Sequence, residues 1–185
     1  MTKPMGPIPA GYEADSESML IIGGRRADAL VTQAGDTPLF VYDLGLIDAR
    51  IASFRAIFPG IDLHFAMKAN PYPALLSHVA KKVDGLDIAS AGELDMAIDA
   101  GAKPSAISFA GPGKGDGDLS DAIHEGVTLN AESEGEVERA ISIAAKMGRR
   151  ARLAVRVNPD FELKASGMKM GGGPKQFGKI GRAHV

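Results

Sequence analysis

The segment LHFAMKANPYPALL at positions 63–76 begins with apolar residues typical of a buried strand, and Lys68 stands where that strand would end. Burying an ammonium group costs free energy unless the group is paired with an anion or loses its charge. A partly desolvated lysine can form a Schiff base with the carbonyl group of a cofactor or substrate. A lysine that reaches solvent at the rim of the sheet, or that pairs with a carboxylate, is the simpler explanation. The local pattern by itself favours this structural explanation.

Three further charged residues lie at comparable places. Arg156 interrupts the apolar segment LAVRVNP, and a buried guanidinium requires an anion, either a phosphate or carboxylate of a ligand or a structural aspartate. Considered alone, Arg156 fits a structural ion pair better. Asp87 in LDIAS either orients a cationic group of a site or closes a salt bridge inside the fold. Glu93 lies three residues after Ser90, and this spacing gives it a structural role as the acid of a capping box.

Segments with the composition of strands alternate with segments typical of helices along most of the chain. The predicted strands begin near Leu63, Leu86, Ala106, Val127 and Arg152. This alternation predicts an α/β fold with a parallel sheet, either a doubly wound sheet or a (β/α)8 barrel. A complete barrel takes about 250 residues. Five strands cannot close an eight-stranded barrel, so the barrel interpretation requires that the chain is truncated.

The predicted helices have recognisable ends. Ser90 with Glu93 and Ser133 with Glu136 have the spacing of capping boxes, and glycines suited to the position after a helix are Gly101, Gly126 and Gly148. Ahead of this regular region, the sequence predicts four elements: a strand at 18–24, a short helix at 25–35, a strand at 37–43 and an amphipathic helix at 44–58.

Polar residues follow all five predicted strands of the regular region. In parallel α/β folds, functional groups gather just beyond the carboxyl ends of the strands. These ends carry Lys68 to Asn70, Asp87 with Ser90, Ala110 to Lys114, Asn130 with Glu132, and Arg156 to Asn158. Their convergence on one rim supports a functional site more strongly than any single residue does.

Composition and motifs exclude several other classes. The chain has 185 residues, a net charge of −2 with interspersed charges, and no cysteine, which argues against nucleic-acid binding, thiolate zinc sites and a cysteine nucleophile. There is no apolar segment of the ~20 residues that span a bilayer and no secretory signal, so we predict a cytoplasmic globular protein. The histidines lack metal-site spacing, and we expect no metal. His64 is expected to point into packing or toward a helix.

Two segments near the C-terminus allow alternative interpretations. GMKMGGGPKQFG at 167–178 has the composition of a phosphate-binding loop, and a mobile loop or lid fits it equally well. The last six residues, IGRAHV at 180–185, can be encoded by a common sequencing-library adapter. We therefore predict that the natural sequence stops near Lys179, and an ordinary polar tail is the alternative.

The chain resembles a known family in an ordered set of segments: TPLFVYD, HFAMKANPYPALL, GLDIASAGEL, FAGPGK, LNAESEGEVERA and LAVRVNPDFELKASGMKMGGGPKQFG. This set is similar to the fold-type III pyridoxal-phosphate decarboxylases, which act on diaminopimelate, ornithine or arginine and are built on an alanine-racemase-like barrel. The similarity extends from about residue 8 to Lys179. PIPAGY, AGPGK and GMKMGGGPKQFG resemble most closely the decarboxylase-like branch associated with bacterial exosortase and exopolysaccharide loci.

The resemblance implies a function and roles for four residues. It implies that Lys68 holds pyridoxal 5'-phosphate as an internal aldimine, that Asp87 and Arg156 lie near the cofactor, and that Glu93 occupies an acidic position of the family. The implied reaction is decarboxylation of a diaminopimelate-, ornithine- or lysine-like amino acid or of a carrier-bound one. An amino-acid racemase on the same fold and a non-catalytic cofactor-binding protein are the alternatives.

The resemblance also implies the organisation of the chain. Residues 1–36 form an N-terminal extension, residues 37–179 the first part of the barrel with about five of its eight strands, and residues 180–185 a non-native tail. The strand at 18–24 belongs to a C-terminal β-domain beyond the chain and is expected to lack partners. The complete protein is expected to be a homodimer, whereas the 185-residue fragment is expected to be inactive.

Overall fold

A computed structural model describes residues 11–158 and 179–180. The chain divides into two compact units, with the division between Ile61 and Asp62. The predicted domain boundary between residues 36 and 37 referred to a complete barrel and stays a prediction. The segment at 167–178 and residues 181–185 of the predicted tail lie outside the described residues.

The first unit contains a small antiparallel sheet with two helices. Its strands are β1 (Glu13–Ala14), β2 (Leu20–Ile22) and β3 (Arg25–Arg26), in the order β1-β2-β3. The helices are α1 (Ala27–Ala34) and α2 (Leu44–Ile57). The strand predicted at 18–24 is confirmed as β2. The expectation that it would lack partners is wrong, because β1 and β3 pair with it on either side.

The strand predicted at 37–43 is wrong, since this segment contains no regular element. Its aromatic and β-branched residues suit a strand, but Phe40 is 84% exposed. A strand forms only where a neighbouring strand takes its backbone N–H and C=O groups, and β1, β2 and β3 pair with one another instead. Asp43, the last residue of the segment, begins α2 as its N-cap and accepts a hydrogen bond from the Gly45 N–H at 2.8 Å.

One arginine connects the sheet of the first unit to α1. The Nη1 atom of Arg26 lies 2.7 Å from Asp15 Oδ2 and 2.8 Å from Glu17 Oε2, and its Nη2 atom lies 3.0 Å from Asp28 Oδ2. The hydrogen bond from Arg26 lowers the pKa of Asp28 below its ordinary value, and the surrounding carboxylates raise the pKa of Arg26.

The second unit is built around a parallel five-stranded sheet. Its strands are β4 (His64–Ala66), β5 (Gly85–Ile88), β6 (Ile107–Phe109), β7 (Thr128–Ala131) and β8 (Arg152–Val155), and each begins within one residue of its predicted start. The helices between them are α3 (Pro73–Val79), α4 (Ala91–Asp99), α5 (Asp116–Glu125) and α6 (Glu134–Lys146). Two short strands, β9 (Val157–Asn158) and β10 (Lys179–Ile180), pair in parallel with each other.

The strand order distinguishes between the two predicted architectures. The sheet has the order β4-β5-β6-β7-β8, so each strand is added beside the one before it. A doubly wound sheet reverses its direction of growth at a switch point, whereas a barrel adds its strands in succession. The five strands therefore form part of a (β/α)8 barrel, as predicted.

The sheet has one apolar and one polar face because side chains alternate along a strand. Leu86, Ile88, Ile107, Phe109 and Leu129 are each at most 2% exposed and share one core cluster with residues of α3, α4, α5 and α6. Each such side chain stabilises the fold by about 1.5–3 kcal/mol relative to an exposed one. The residues between them lie on the opposite face, where register pairs Asp87 with Ser108 and Ser108 with Thr128.

The helix ends largely follow the prediction. Ser90 Oγ and Ser133 Oγ each accept a hydrogen bond, at 3.2 Å, from the backbone N–H three residues later. The glutamate of each pair, however, bonds the N–H of the residue before the serine, so only half of each predicted capping box is confirmed. The predicted glycines after the helices all have left-handed backbone conformations: Gly101, Gly126 and Gly148.

The second unit contains a buried ion pair. Lys114 Nζ lies 2.8 Å from Glu136 Oε1, and the two side chains are 1% and 5% exposed. The ammonium group also donates to the carbonyl oxygens of Gly111 and Asn130, and it lies 5.7 Å from the ring centroid of Phe109. These contacts compensate the lost hydration of the ammonium and join the loop after β6 to the end of β7.

The contact between Arg26 and Asp28 predicts how the stability of the first unit depends on pH. A carboxyl group whose pKa is lower in the folded chain contributes stability above its unfolded pKa, about 4 for aspartate, and loses it as the pH falls through the folded pKa. We expect the Asp28 carboxyl resonance to titrate below the ordinary range in NMR, and Arg26→Gln to return the midpoint to that range. Arg25→Gln serves as the matched control, and a midpoint that Arg26→Gln leaves in place would contradict the assignment.

Removing one member of the buried pair should destabilise the protein strongly. Lys114→Met leaves the Glu136 carboxylate buried without its cation, and we expect the free energy of unfolding to fall by about 3–5 kcal/mol. The double variant Lys114→Met/Glu136→Gln should recover most of that loss. Urea unfolding followed by far-UV circular dichroism measures both effects. The exposed Lys81→Met should change stability by less than about 0.5 kcal/mol; a comparable loss there would refute this explanation.

Candidate active site

Lys68 is an exposed amine at the carboxyl end of β4. The strand continues into a 3-10 helix, Met67–Ala69, in which the side chain of Met67 is fully buried and anchors the turn. Asn70 closes it, because its N–H donates to Met67 O at 3.0 Å. Lys68 itself is exposed and makes no hydrogen bond or ion pair within the described part of the chain. The buried Met67 therefore anchors the turn from which the Lys68 amine extends to the rim.

Asp87 lies on the polar face of the sheet with a histidine beside it. His64 belongs to the adjacent strand β4, and its Nδ1 atom lies 3.2 Å from Asp87 Oδ1. The imidazole occupies the space above Gly85, where an added Cβ would come within 2.5 Å of the ring and would also meet the carbonyl oxygen of Ala106. Gly85 thus leaves room for the histidine that contacts Asp87. Asp87 was predicted either to orient a cationic group of a site or to close a salt bridge inside the fold. Its described contact with His64 corresponds to the second alternative.

The expectation for His64 is wrong, since its side chain points to the polar face rather than into packing or toward a helix. The strand period together with the register of β4 and β5 determines this direction. His64 lies two residues before Ala66, which pairs in register with Asp87, so the two side chains share one face. Ser108 was missed for the same reason; it lies beside Asp87 in register and accepts a hydrogen bond from Asn130 Nδ2.

Arg156 forms the ion pair that its apolar surroundings predicted, and a described partner is Glu132. Arg156 Nη1 donates to Glu132 Oε1 at 3.1 Å, and the Arg156 N–H donates to Ala131 O at 2.9 Å. The same oxygen of Glu132 accepts from the Gly111 N–H at 2.8 Å. Glu132 is 3% exposed and Arg156 30%, so the carboxylate is buried beneath the guanidinium.

Glu93 acts on the backbone that follows β5. Its Oε2 atom accepts from the Ala89 N–H at 2.6 Å, while its own N–H donates to Ser90 Oγ. These bonds hold the turn between β5 and α4, which agrees with the structural role predicted from its spacing. Its implied place at a cofactor stays a prediction.

The site is therefore a rim of strand ends that carries an amine, a carboxylate and a guanidinium. No group of three or more potential ligands among residues 11–158 and 179–180 is arranged to hold a metal ion. None of the helices in these ranges is long and apolar enough to cross a membrane.

Comparison with known proteins assigns the family. The profile described as "Pyridoxal-dependent decarboxylase, pyridoxal binding domain" matches residues 44–183. The chain is 39% identical over 135 residues to the diaminopimelate decarboxylase of Aquifex aeolicus, covering 72% of the chain and 32% of that relative. It is 36% identical over 150 residues to an L-glutamyl acyl-carrier-protein decarboxylase of Niallia circulans, covering 80% and 35%.

Solved structures agree with the sequence relatives. The crystal structure of diaminopimelate decarboxylase from Helicobacter pylori complexed with L-lysine superimposes with a TM-score of 0.69 at 33% identity, over 75% of the chain and 36% of that protein. The chain spans about a third of the length of the curated relatives it matches. Because residues 44–183 match the family profile, the chain belongs to the pyridoxal-dependent decarboxylases, and it carries part of their pyridoxal-binding domain.

Proposed function

We propose that the complete protein containing this chain is a pyridoxal-phosphate-dependent amino-acid decarboxylase. The observation that carries the proposal is Lys68, an exposed amine without a described partner at the carboxyl end of β4, in a chain of the pyridoxal-binding family. A covalent cofactor with an aldehyde group requires such an accessible primary amine.

The residues of the polar rim fit this cofactor. Pyridoxal phosphate presents an aldehyde, an anionic phosphate and a ring that can carry positive charge. The rim offers an amine at Lys68 for the aldehyde, and a carboxylate at Asp87 and a guanidinium at Arg156 that suit charged groups of the bound cofactor. Lys114, although it also follows a strand, is buried and fully engaged with Glu136 and two carbonyl oxygens, so it is unsuited to bonding an aldehyde.

In the proposed site each residue has a separate task. Lys68 would hold the cofactor by condensation of its amine with the aldehyde, which releases the carbonyl oxygen as water. Asp87, held by His64 Nδ1, supplies a fixed negative charge to cationic parts of the bound ligands, and Arg156 supplies positive charge to anionic ones. Glu93 keeps the turn at the end of β5 in shape and thereby supports Asp87. When bound, the cofactor supplies the electron sink that accepts the pair left on Cα when carbon dioxide departs.

The names of the relatives suggest the class of substrate. They include decarboxylases of diaminopimelate and of a glutamyl group on an acyl-carrier protein, and one solved relative contains L-lysine. We propose a diaminopimelate-, ornithine- or lysine-like amino acid or a carrier-bound one. A homodimer and a cytoplasmic location belong to the same proposal, and so does inactivity of the 185-residue chain by itself.

Chemical labelling tests the proposal directly. The complete gene product is incubated with pyridoxal phosphate, reduced with borohydride and digested, and the modified peptide is identified by mass spectrometry. We expect the modification on Lys68, its loss in Lys68→Ala, and its retention in Lys103→Ala. Lys103 is a suitable control because it is also exposed but precedes β6, at the opposite end of the sheet. Modification of another lysine in place of Lys68 would refute the assignment.

A product assay separates the alternative activities. Carbon dioxide released from one amino acid of the proposed class supports the decarboxylase. Inversion of the substrate without carbon dioxide would identify a racemase, and labelling of Lys68 without turnover of any tested substrate would identify a binding protein.

A further inference from the structure

Two turns of the sheet share one sequence pattern and one geometry. The turn after β5 reads ASAGE at 89–93, and the turn after β7 reads ESEGE at 132–136. In both, the serine Oγ accepts from the N–H of the glutamate three residues later, at 3.2 Å. In both, that glutamate accepts from the N–H of the residue before the serine, at 2.6 Å in the first turn and 3.1 Å in the second.

The turns differ at their first residue, which is Ala89 in one and Glu132 in the other. Since the first turn forms with alanine, the geometry of the turn does not require the Glu132 side chain. Its carboxylate is nevertheless 3% exposed, and burial of a charge costs free energy that only specific partners compensate. The side chain therefore needs an explanation outside its own turn.

Two described partners of the Glu132 carboxylate come from the neighbouring strand ends. Its Oε1 atom accepts from the Gly111 N–H at 2.8 Å, in the loop after β6, and from Arg156 Nη1 at 3.1 Å, after β8. Gly111 has a φ of +120°, a conformation suited to glycine, and this turns its N–H toward the carboxylate. One oxygen thus connects the guanidinium to a backbone amide two strands away.

The backbone of Glu132 and the loop that carries Gly111 are both held by further contacts, and this fixes the position of the Glu132 oxygen. The Glu132 N–H is held by Glu136 Oε2, and Glu136 Oε1 is held in turn by Lys114. Lys114 Nζ donates to the carbonyl oxygen of Gly111, the same residue whose N–H bonds Glu132. Arg156 is the more exposed partner, so it orients itself on a carboxylate that the buried contacts already fix.

We infer that Glu132 is a positioning residue, which directs the Arg156 guanidinium over the polar rim and thereby sets the affinity of the site for the anionic cofactor. This inference rests on the proposed function, because it takes Arg156 to contact pyridoxal phosphate. Glu132 itself is buried below the rim and acts through the arginine.

A double-mutant cycle tests the inference on the complete protein, with pyridoxal phosphate as the probe. The dissociation constant of the cofactor is measured by equilibrium dialysis for Glu132→Gln, Arg156→Gln and the double variant. Glutamine keeps an oxygen for the Gly111 N–H and removes only the charge. We expect each single variant to bind about tenfold more weakly, and the double variant to equal Arg156→Gln within about twofold. The exposed Glu138→Gln, in the helix α6 that follows Glu132, should bind as the wild type does.

The outcomes separate an indirect role from a general loss of structure. If Glu132→Gln weakens binding equally in the presence and absence of Arg156, or leaves binding unchanged, the inference is overturned. If Glu132→Gln does not fold, Glu132→Asp, which keeps the charge but shortens its reach, should weaken binding only while Arg156 is present. Failure to label Lys68 would sink the proposed function, whereas labelling of Lys68 with an additive cycle would sink the inference alone.

Discussion

The burial of Lys114 against Glu136 is the constraint on which the polar rim depends. An ammonium that is 1% exposed must have every hydration contact replaced, and the chain replaces them with one carboxylate and two backbone carbonyl oxygens. Those carbonyls belong to Gly111 and Asn130, in the loop after β6 and at the end of β7. The pair thus fixes two strand ends relative to each other. A hydrophobic pair of similar volume could fill the same space but could not hold backbone oxygens.

The rest of the rim is arranged from this fixed point outward. With the loop after β6 held, the Gly111 N–H points to Glu132, and Glu132 in turn contacts Arg156, which follows β8. Toward the other edge of the sheet, Gly85 leaves space for the His64 ring beside Asp87. The position of Arg156 is therefore determined by the less exposed Glu132. The position of Asp87 depends on a glycine that leaves room for the histidine beside it.

Periodicity in the sequence predicts the regular part of the fold well. The five parallel strands were placed within one residue, because both their apolar composition and the glycines after the helices are local signals. Local composition failed at 37–43, where the residues suit a strand but no described strand pairs with them. It failed again for His64, whose direction follows from its register with β5, and register is a property of two segments and not of one.

The site shows the same division between local and non-local information. A lysine at a strand end is visible in the sequence both for Lys68 and for Lys114, and the two differ only in what surrounds them. Two of the Lys114 partners, Asn130 and Glu136, lie 16 and 22 residues away along the chain, which is why the full set of its contacts could not be foreseen. For Lys68 the buried Met67 beside it keeps the amine outside the core. A nucleophilic amine must be accessible and uncommitted, and that condition distinguishes these two lysines where their sequence contexts do not.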